Sequence, residues 1–224
     1  MNVLGLDTAT SASAAALLLA DGTCKELRDD PPAGAHPGHA TRLLSMANEL
    51  LSEAKLPWSG LDRIAVGTGP GTFTGLRVGI ATARGLAQAR GIELVGVSSL
   101  TALASNTDGA RLAVIDARRG EVFAAFFRDS DIPSSEPRAS APGDVSSLVD
   151  GRALAIGDGA VRYRDALEQQ GIEVAPDDSP LHLVRASAIC ELGCRQDAGP
   201  LDAVLPDYRR RPDAELALQG KAGA

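Results

Sequence analysis

The chain has 224 residues, of which 44% are hydrophobic, and its formal net charge is −7. The length suits one large domain or two small ones, and the hydrophobic fraction is enough to build a core. The longest apolar stretch, residues 12–20, is far shorter than the roughly 18 residues of a membrane helix. The acidic charge argues against a broad RNA-binding surface. Because no basic segment precedes an apolar one at the start, we expect a cytoplasmic protein.

The first half of the chain predicts a hairpin followed by a strand–helix–strand unit. Apolar runs bounded by turn residues predict strands, and apolar positions three and four apart predict helices. Strands are predicted at residues 2–7, 12–20, 63–67 and 92–97, helices at 39–54, 75–90 and 98–105, and a loop at 28–38. The crossover between the two parallel strands should be right-handed.

The second half begins after a turn signal at residues 106–109 and repeats the opening of the first. Each half starts with an apolar strand that ends in an aspartate, followed by a polar turn and a return strand. This order predicts an internal duplication, with lobes at 1–105 and 106–211 and a frayed tail at 212–224. The other predicted elements are strands at 111–116, 121–128 and 153–156, a loop with a short helix at 129–150, a helix ending near 170 and a helix at 181–197.

A glycine-rich loop at residues 69–77 joins a predicted strand to a predicted helix. A helix N-terminus carries free N–H groups and can hold an anion. The loop nevertheless lacks the lysine of a P-loop and the GxGxxG spacing. The alternative is a tight turn that lets the strand and the helix pack closely.

Residues at the ends of the predicted strands are candidates to face a nucleotide between the lobes. An aspartate there can orient a metal ion or a water molecule, and the alternative is an aspartate that caps a turn. A glycine turn before a helix can pass close to a nucleotide, or serve only as a turn and helix cap. The candidates are Asp7, Thr8, Thr10, Asp116, Arg118, Gly157, Asp158 and Gly159.

Two predicted helices carry faces suited to close contact with another helix, such as one from a second copy of this chain. Glycine inside a helix costs about 1 kcal/mol against alanine, which a closely approaching helix would explain. The alternative is close packing on the chain's own sheet, and a homodimer through a four-helix contact is a further possibility. The candidates are Leu43, Met46, Ala47 and Leu50 on helix 39–54 and Gly75, Gly79, Ala83 and Ala87 on helix 75–90, where Ala81, Gly85 and Ala89 form a second small row.

The cysteines and histidines predict no metal site. The three cysteines form no CxxC pair, and Cys190 and Cys194 are interpreted as small buried side chains. A structural zinc site needs about four ligands, and His36, His39 and His182 do not complete such a set. His39 is instead expected at the start of a helix. The sequence therefore predicts no metal and no other cofactor.

Several segments together resemble the TsaB (YeaZ) family of bacterial tRNA threonylcarbamoyladenosine biosynthesis. They are LGLDTATSASAAALL at 4–18, HATRLLSMANELL at 39–51, VGTGPGTFTGLRVGIATARGLA at 66–87, GVSSLTALA at 96–104 and VIDARRGEVFAAFF at 114–127, with weaker matches at 155–160 and 206–210. The resemblance implies an α/β fold of the actin-like ATPase and sugar-kinase (ASKHA) type with two related lobes. That implication agrees with the repeated strand–Asp–turn–strand order.

The resemblance also implies two partners: TsaD, which transfers threonylcarbamoyl to an adenosine next to the anticodon, and TsaE, a small ATPase. TsaD holds its metal with a histidine motif, whereas the corresponding residues 97–101 (VSSLT) include no histidine, cysteine or carboxylate. The resemblance thus implies a non-catalytic scaffold that contacts tRNA only through the complex. The alternatives are an autonomous ASKHA-type ATPase or phosphotransferase, using Asp7, Thr8, Asp116 and the 157–159 turn, and a glycoprotease-like peptidase.

Overall fold

The computed structural model describes residues 1–32 and 38–210, which form two five-stranded mixed sheets with helices around them. The first sheet holds β1 (Val3–Asp7), β2 (Ser13–Leu18), β3 (Cys24–Asp29), β4 (Arg63–Gly69) and β5 (Glu93–Ser98). Its helices are α1 (His39–Glu53), α2 (Phe73–Arg90) and α3 (Ser99–Ala104). The second sheet holds β6 (Arg111–Arg118), β7 (Glu121–Phe127), β8 (Arg138–Ser140), β9 (Leu154–Ile156) and β10 (Glu173–Val174). The part of the chain that forms the second sheet, with the residues that follow it, also forms α4 (Asp158–Arg162), α5 (Arg164–Glu168) and α6 (Ala186–Cys194).

The two sheets share one topology. The strand order is β3-β2-β1-β4-β5 in the first sheet and β8-β7-β6-β9-β10 in the second. In the first sheet, β1 pairs antiparallel with β2 and parallel with β4. In the second, β6 pairs antiparallel with β7 and parallel with β9. The duplication predicted from the repeated strand–Asp–turn–strand order is therefore confirmed.

Three apolar layers hold the sheets and helices together. All five residues of β1 are buried, because one face of the first sheet meets α1 and α2 while the other meets the central layer. This central layer joins side chains of both sheets to those of α3 and α6, including Val95, Ile115 and Ile189. The outer face of the second sheet packs against α4 and α5 through Ala160 and Leu167.

The position of helix α6 differs from what the predicted lobe boundary near residue 106 implies. It follows the second sheet in the chain but packs on β1, β2 and β4 of the first. A Cβ on Gly193 would lie 2.5 Å from the Ala65 Cβ, and the buried Arg63 donates to the Gly193 carbonyl at 2.8 Å. The second part of the chain therefore supplies one helix to the core of the first lobe. The predicted tail at 212–224 lies outside the described residues, as does His36.

Some predicted elements are wrong in extent or kind. β3 was not predicted, and its last residues fall in the predicted loop at 28–38, because this edge strand leaves all six side chains at least partly exposed. β8 and β10 have only three and two residues, too few for a pattern. The helix predicted to end near 170 is two short helices that break at Tyr163. The helix predicted at 181–197 shortens to α6, and the one inside 129–150 is a 3-10 helix, Pro142–Leu148.

Candidate functional site

Asp7 ends β1 in a packed junction of the first lobe. It is 2% exposed, and its oxygens accept hydrogen bonds from the Ala9 N–H and the Ser99 hydroxyl, each at 2.9 Å. A Cβ on Gly67 would lie 1.8 Å from Asp7 Oδ2, so β4 leaves room for the carboxyl only because that residue is glycine. Burial raises the pKa of Asp7 to about 6 despite both hydrogen bonds. These contacts fit the turn-capping alternative for Asp7, and its orientation toward a nucleotide stays a prediction.

Thr8 lies under the first turns of α2. Its hydroxyl donates to the Gly75 carbonyl at 2.7 Å. A Cβ on Gly75 would lie 2.0 Å from the Thr8 carbonyl oxygen, and one on Gly79 would lie 2.3 Å from Thr8 Oγ1. The glycines thus let α2 pack on the β1–β2 turn, which is the close-packing alternative for the glycine-rich loop. Thr8, like Asp7, is bonded inside the lobe and is not among the residues that line the cavity described below.

A cavity of about 290 Å³ lies between the two lobes. Arg28 spans it, donating to Asp30 Oδ2 at 2.8 Å and to the Val184 carbonyl at 3.0 Å. Of the eight residues predicted to face a nucleotide, Thr10 and Asp158 line this cavity. The full lining comprises Thr10, Ser11, Arg28 and Asp30 from the first lobe and Asp158, Val161, Arg162, His182, Leu183 and Val184 from the second part of the chain.

The aspartates of the second lobe join α4 to β6. Asp116 is 5% exposed. One of its oxygens accepts from the Arg118 N–H at 2.8 Å, and the other lies 3.3 Å from the Arg118 guanidinium and 3.6 Å from that of Arg162. Asp158 Oδ1 accepts from the Asp116 N–H at 3.0 Å, and burial raises the pKa of the Asp158 carboxyl. Two arginines therefore already balance the charge of Asp116.

Gly157 and Gly159 pack against β6 and are not among the residues that line the cavity. A Cβ on Gly157 would lie 2.0 Å from the Val114 carbonyl oxygen, and one on Gly159 would lie 2.9 Å from the Asp116 nitrogen. Gly157 also has φ of +111°, where residues with a side chain are strained. Both glycines serve the turn and the start of α4, the alternative weighed for them.

The predicted docking faces of α1 and α2 point into the chain's own core. All eight candidates are buried: Leu43, Met46, Ala47, Leu50, Gly75, Gly79, Ala83 and Ala87. They meet β2, β4 and each other across the two helices. Their burial favours the alternative that these faces pack within the chain's own first lobe. The second small row of α2 lies on the opposite side, where Ala81, Gly85 and Ala89 are exposed.

The residues that the structure describes hold no group of three His, Cys, Asp or Glu side chains close enough for a metal ion. Within the same residues, Cys24 is exposed, Cys194 is half-buried and Cys190 is buried, and all three are free thiols. No helix of the described ranges is both long enough and apolar enough to cross a membrane.

Comparisons with known proteins find relatives of two types, TsaD and TsaB. The family model for TsaD, tRNA N6-adenosine threonylcarbamoyltransferase, matches residues 31–136. The tRNA threonylcarbamoyladenosine biosynthesis protein TsaB of Haemophilus influenzae is 32% identical, over 75% of this chain and 77% of its own length. This chain belongs to the TsaB family.

Other relatives differ in length and in similarity to this TsaB-family chain. An uncharacterized protein of Mycobacterium leprae is 36% identical over 95% of the chain, which spans only 56% of that protein. A solved structure of YeaZ from Pseudomonas aeruginosa has a TM-score of 0.79 at 29% identity, covering 93% of this chain and 100% of its own. A ROK hexokinase of Thermus thermophilus has a TM-score of 0.51 at 13% identity, covering 87% of this chain and 100% of its own. The last likeness shows the fold alone, and the predicted ASKHA-type fold is confirmed.

Sequence reasoning missed several residues that shape this TsaB-family cavity. His182 is 7% exposed; the Gly157 N–H donates to its Nδ1 at 3.0 Å, and its Nε2 lies 2.9 Å from the Pro176 carbonyl. Arg28 and Asp30 stand in what composition predicted to be a loop. No sequence motif marks any of these three residues, because the position of each in the cavity depends on contacts with distant parts of the chain. His39 does begin α1 as predicted, and its Nδ1 lies 2.8 Å from the Ser13 hydroxyl.

Proposed function

We propose that this chain is a non-catalytic, cytoplasmic subunit in the biosynthesis of threonylcarbamoyladenosine in tRNA. In this role it binds and stabilises the transferase TsaD, together with the ATPase TsaE, and it contacts tRNA only through the complex. Membership of the TsaB family supports the pathway. The observation that carries the scaffold role is Gly85, a glycine on the exposed side of α2.

Gly85 lies in the interior of α2, where glycine costs about 1 kcal/mol relative to alanine. A Cβ on it would meet nothing within 4 Å among the described residues, so packing inside this chain does not require glycine here. Ala81 and Ala89, one turn away on either side, are exposed as well. A partner helix could approach this row more closely than a row of larger side chains would permit.

The kind of partner follows from the match to the TsaD family model. That match spans residues 31–136 and so includes both α1 and α2. A TsaD-type partner therefore has a helix pair related to this one. Two related pairs can meet in a pseudo-symmetric four-helix contact, in which each presents the same kind of face.

The strand-end aspartates support the absence of catalysis. Asp7 and Asp116 are buried, and neither is among the residues that line the interlobe cavity. A phosphotransferase acting in this cavity would need a carboxylate placed beside the reacting phosphate, and the two that line it are already engaged, since Asp30 accepts from Arg28 and Asp158 accepts from the Asp116 N–H. Steady ATP hydrolysis by the isolated chain would contradict this part of the proposal and favour an autonomous ATPase.

Gly85→Arg tests the scaffold role. Arginine is a good helix former, so the variant should be at least as stable as the wild type, while its side chain blocks a close helix contact. We expect its affinity for TsaD in calorimetric titration to fall by at least about tenfold, or about 1.4 kcal/mol. Co-purification with TsaD and TsaE, with and without ATP, should show the same loss.

Gly143→Arg is the matched control, because Gly143 is an exposed glycine of the second lobe whose Cβ would also meet nothing within 4 Å. It should bind TsaD like the wild type. If Gly85→Arg binds TsaD as tightly as Gly143→Arg does, the outer side of α2 is not the docking surface.

A further inference from the structure

The segment 200–210, called the C-terminal strap below, runs along one side of α2. Val204 is 8% exposed and is in reach of β5, since a Cβ on Gly96 would lie 3.2 Å from its Cγ1. Arg84 of α2 donates to the Val204 carbonyl at 2.6 Å. The Asp207 N–H donates to the Thr68 carbonyl at 2.8 Å. The strap is therefore anchored on the first lobe, although it follows the second in the chain.

The strap carries two exposed hydrophobic side chains beside a third on α2. Leu205 is 63% exposed, Tyr208 41% and Phe73 39%, and the rings of Tyr208 and Phe73 stack with centroids 5.2 Å apart. Arg77 donates to the Tyr208 hydroxyl at 2.9 Å and places its guanidinium 3.8 Å from the Phe73 ring centroid. Three of the seven large hydrophobic residues exposed in the described ranges thus belong to the strap and to the start of α2, where Phe73 stacks on Tyr208.

This place adjoins the exposed row of α2. Arg77 and Arg84, which bind the strap, are seven residues apart and so lie on the same side of the helix. Leu86 packs instead into the apolar layer that contains Leu43 and Leu50 of α1. The row through Ala81 and Gly85 therefore has α1 on one side and the strap on the other.

We infer that the strap forms the second side of the TsaD docking surface, with Leu205 and the Phe73–Tyr208 pair in direct contact with TsaD. The inference rests on the proposed function. TsaD is the favoured partner for this surface because the surface is continuous with the proposed TsaD contact on α2. Phe73 begins the same helix whose exposed row continues to Gly85. An RNA occupant is disfavoured, because the chain carries a net charge of −7 and the Arg77 guanidinium is already engaged by Tyr208 and Phe73.

Leu205→Glu tests the inference against Ile132→Glu, which makes the same change at a 75% exposed residue of the second lobe. Both side chains are exposed, so both variants should keep the wild-type melting temperature. We expect Leu205→Glu to raise the Kd for TsaD by at least about tenfold and Ile132→Glu to leave it unchanged. Equal affinities for TsaD in the two variants would overturn the inference.

Alkylation of engineered cysteines gives a second readout that does not depend on the size of an affinity change. With peptide mass spectrometry, Leu205→Cys should react at least about tenfold more slowly with a maleimide when TsaD is present, while Ile132→Cys reacts at an unchanged rate. Protection of Leu205→Cys by a second copy of this chain or by tRNA, and not by TsaD, would overturn the assignment of the partner.

Gly85→Arg separates this inference from the proposed function. If Gly85→Arg loses TsaD while Leu205→Glu keeps it and Leu205→Cys stays unprotected, the scaffold role stands and the strap contact is wrong. If the wild-type chain does not bind TsaD at all, both the scaffold role and the strap contact fail.

Discussion

Asp7 places a carboxyl group inside a buried junction of the first lobe. Burial raises its pKa to about 6, against two hydrogen bonds that favour the charged form. An amide of the same shape can keep both contacts, because its oxygen can accept from Ala9 and its nitrogen can donate to the Ser99 hydroxyl. The charge of this side chain, and not its shape, is what the junction tolerates poorly.

Asp7→Asn should therefore stabilise the protein at neutral pH. The native carboxyl binds its proton more tightly than the unfolded one, so wild-type stability falls as pH rises from about 4 to about 6 and stays lower above that range. A pKa moved from 3.8 to about 6 corresponds to about 3 kcal/mol. We expect the variant's free energy of unfolding in urea to exceed that of the wild type by about 1–3 kcal/mol near pH 7.5, with little difference near pH 4.

Asp178→Asn, which alters an exposed carboxylate, controls for the loss of one negative charge. Its stability should stay within about 0.5 kcal/mol of the wild type. A lower stability of Asp7→Asn than of the wild type near pH 7.5 would mean that the Asp7 carboxylate stabilises the native state in its charged form.

At the scale of single elements, α2 has small residues on two opposite sides for two different reasons. Gly75 and Gly79 face the β1–β2 turn, where a Cβ would meet the backbone or side chain of Thr8. Gly85 faces open space. The sequence gives both rows the same spacing of four, so spacing alone could not tell the packed side from the exposed one.

Alanine at Gly75 and at Gly85 should have opposite effects on stability. Both changes gain up to about 1 kcal/mol of helix propensity. At Gly75 the new Cβ would lie 2.0 Å from the Thr8 carbonyl oxygen, which forces the backbone apart. We expect Gly75→Ala to lose about 1–3 kcal/mol overall and Gly85→Ala to gain up to about 1 kcal/mol, both measured by urea unfolding. If Gly75→Ala is as stable as Gly85→Ala, the contact with Thr8 is not tight.

The elements that the sequence predicted well are those with a strong local pattern. β1, β2, the β4–α2–β5 unit and α1 all carry apolar runs or apolar faces long enough to be read without tertiary information. The elements that were missed lack such patterns, as the polar edge strand β3 does. The same limit applies to the cavity, since Arg28 bonds to Val184, which is 156 residues away in the chain.

At the scale of the whole molecule, the two halves have the same topology but are not structurally independent of each other. The chain returns to the first lobe through α6 after completing the second sheet. Glu26 of β3 accepts hydrogen bonds from the N–H groups of Ala186 and Ser187 at the start of α6, and Arg63 binds carbonyls at its end. The inner face of the first sheet is therefore covered by residues that lie far along the chain.

The predicted boundary near residue 106 should thus fail as a folding boundary. A fragment of residues 1–105 keeps α1 and α2 but loses α6 and the second sheet, which would expose central-layer residues such as Val3, Ala65 and Val95 to water. We expect this fragment alone to show no cooperative thermal transition by circular dichroism, and to gain one when it is co-expressed with residues 106–224, because the second fragment restores α6. The intact chain serves as the reference for both samples. A cooperative transition of the isolated fragment close to that of the intact chain would mean that the first lobe completes its core without α6.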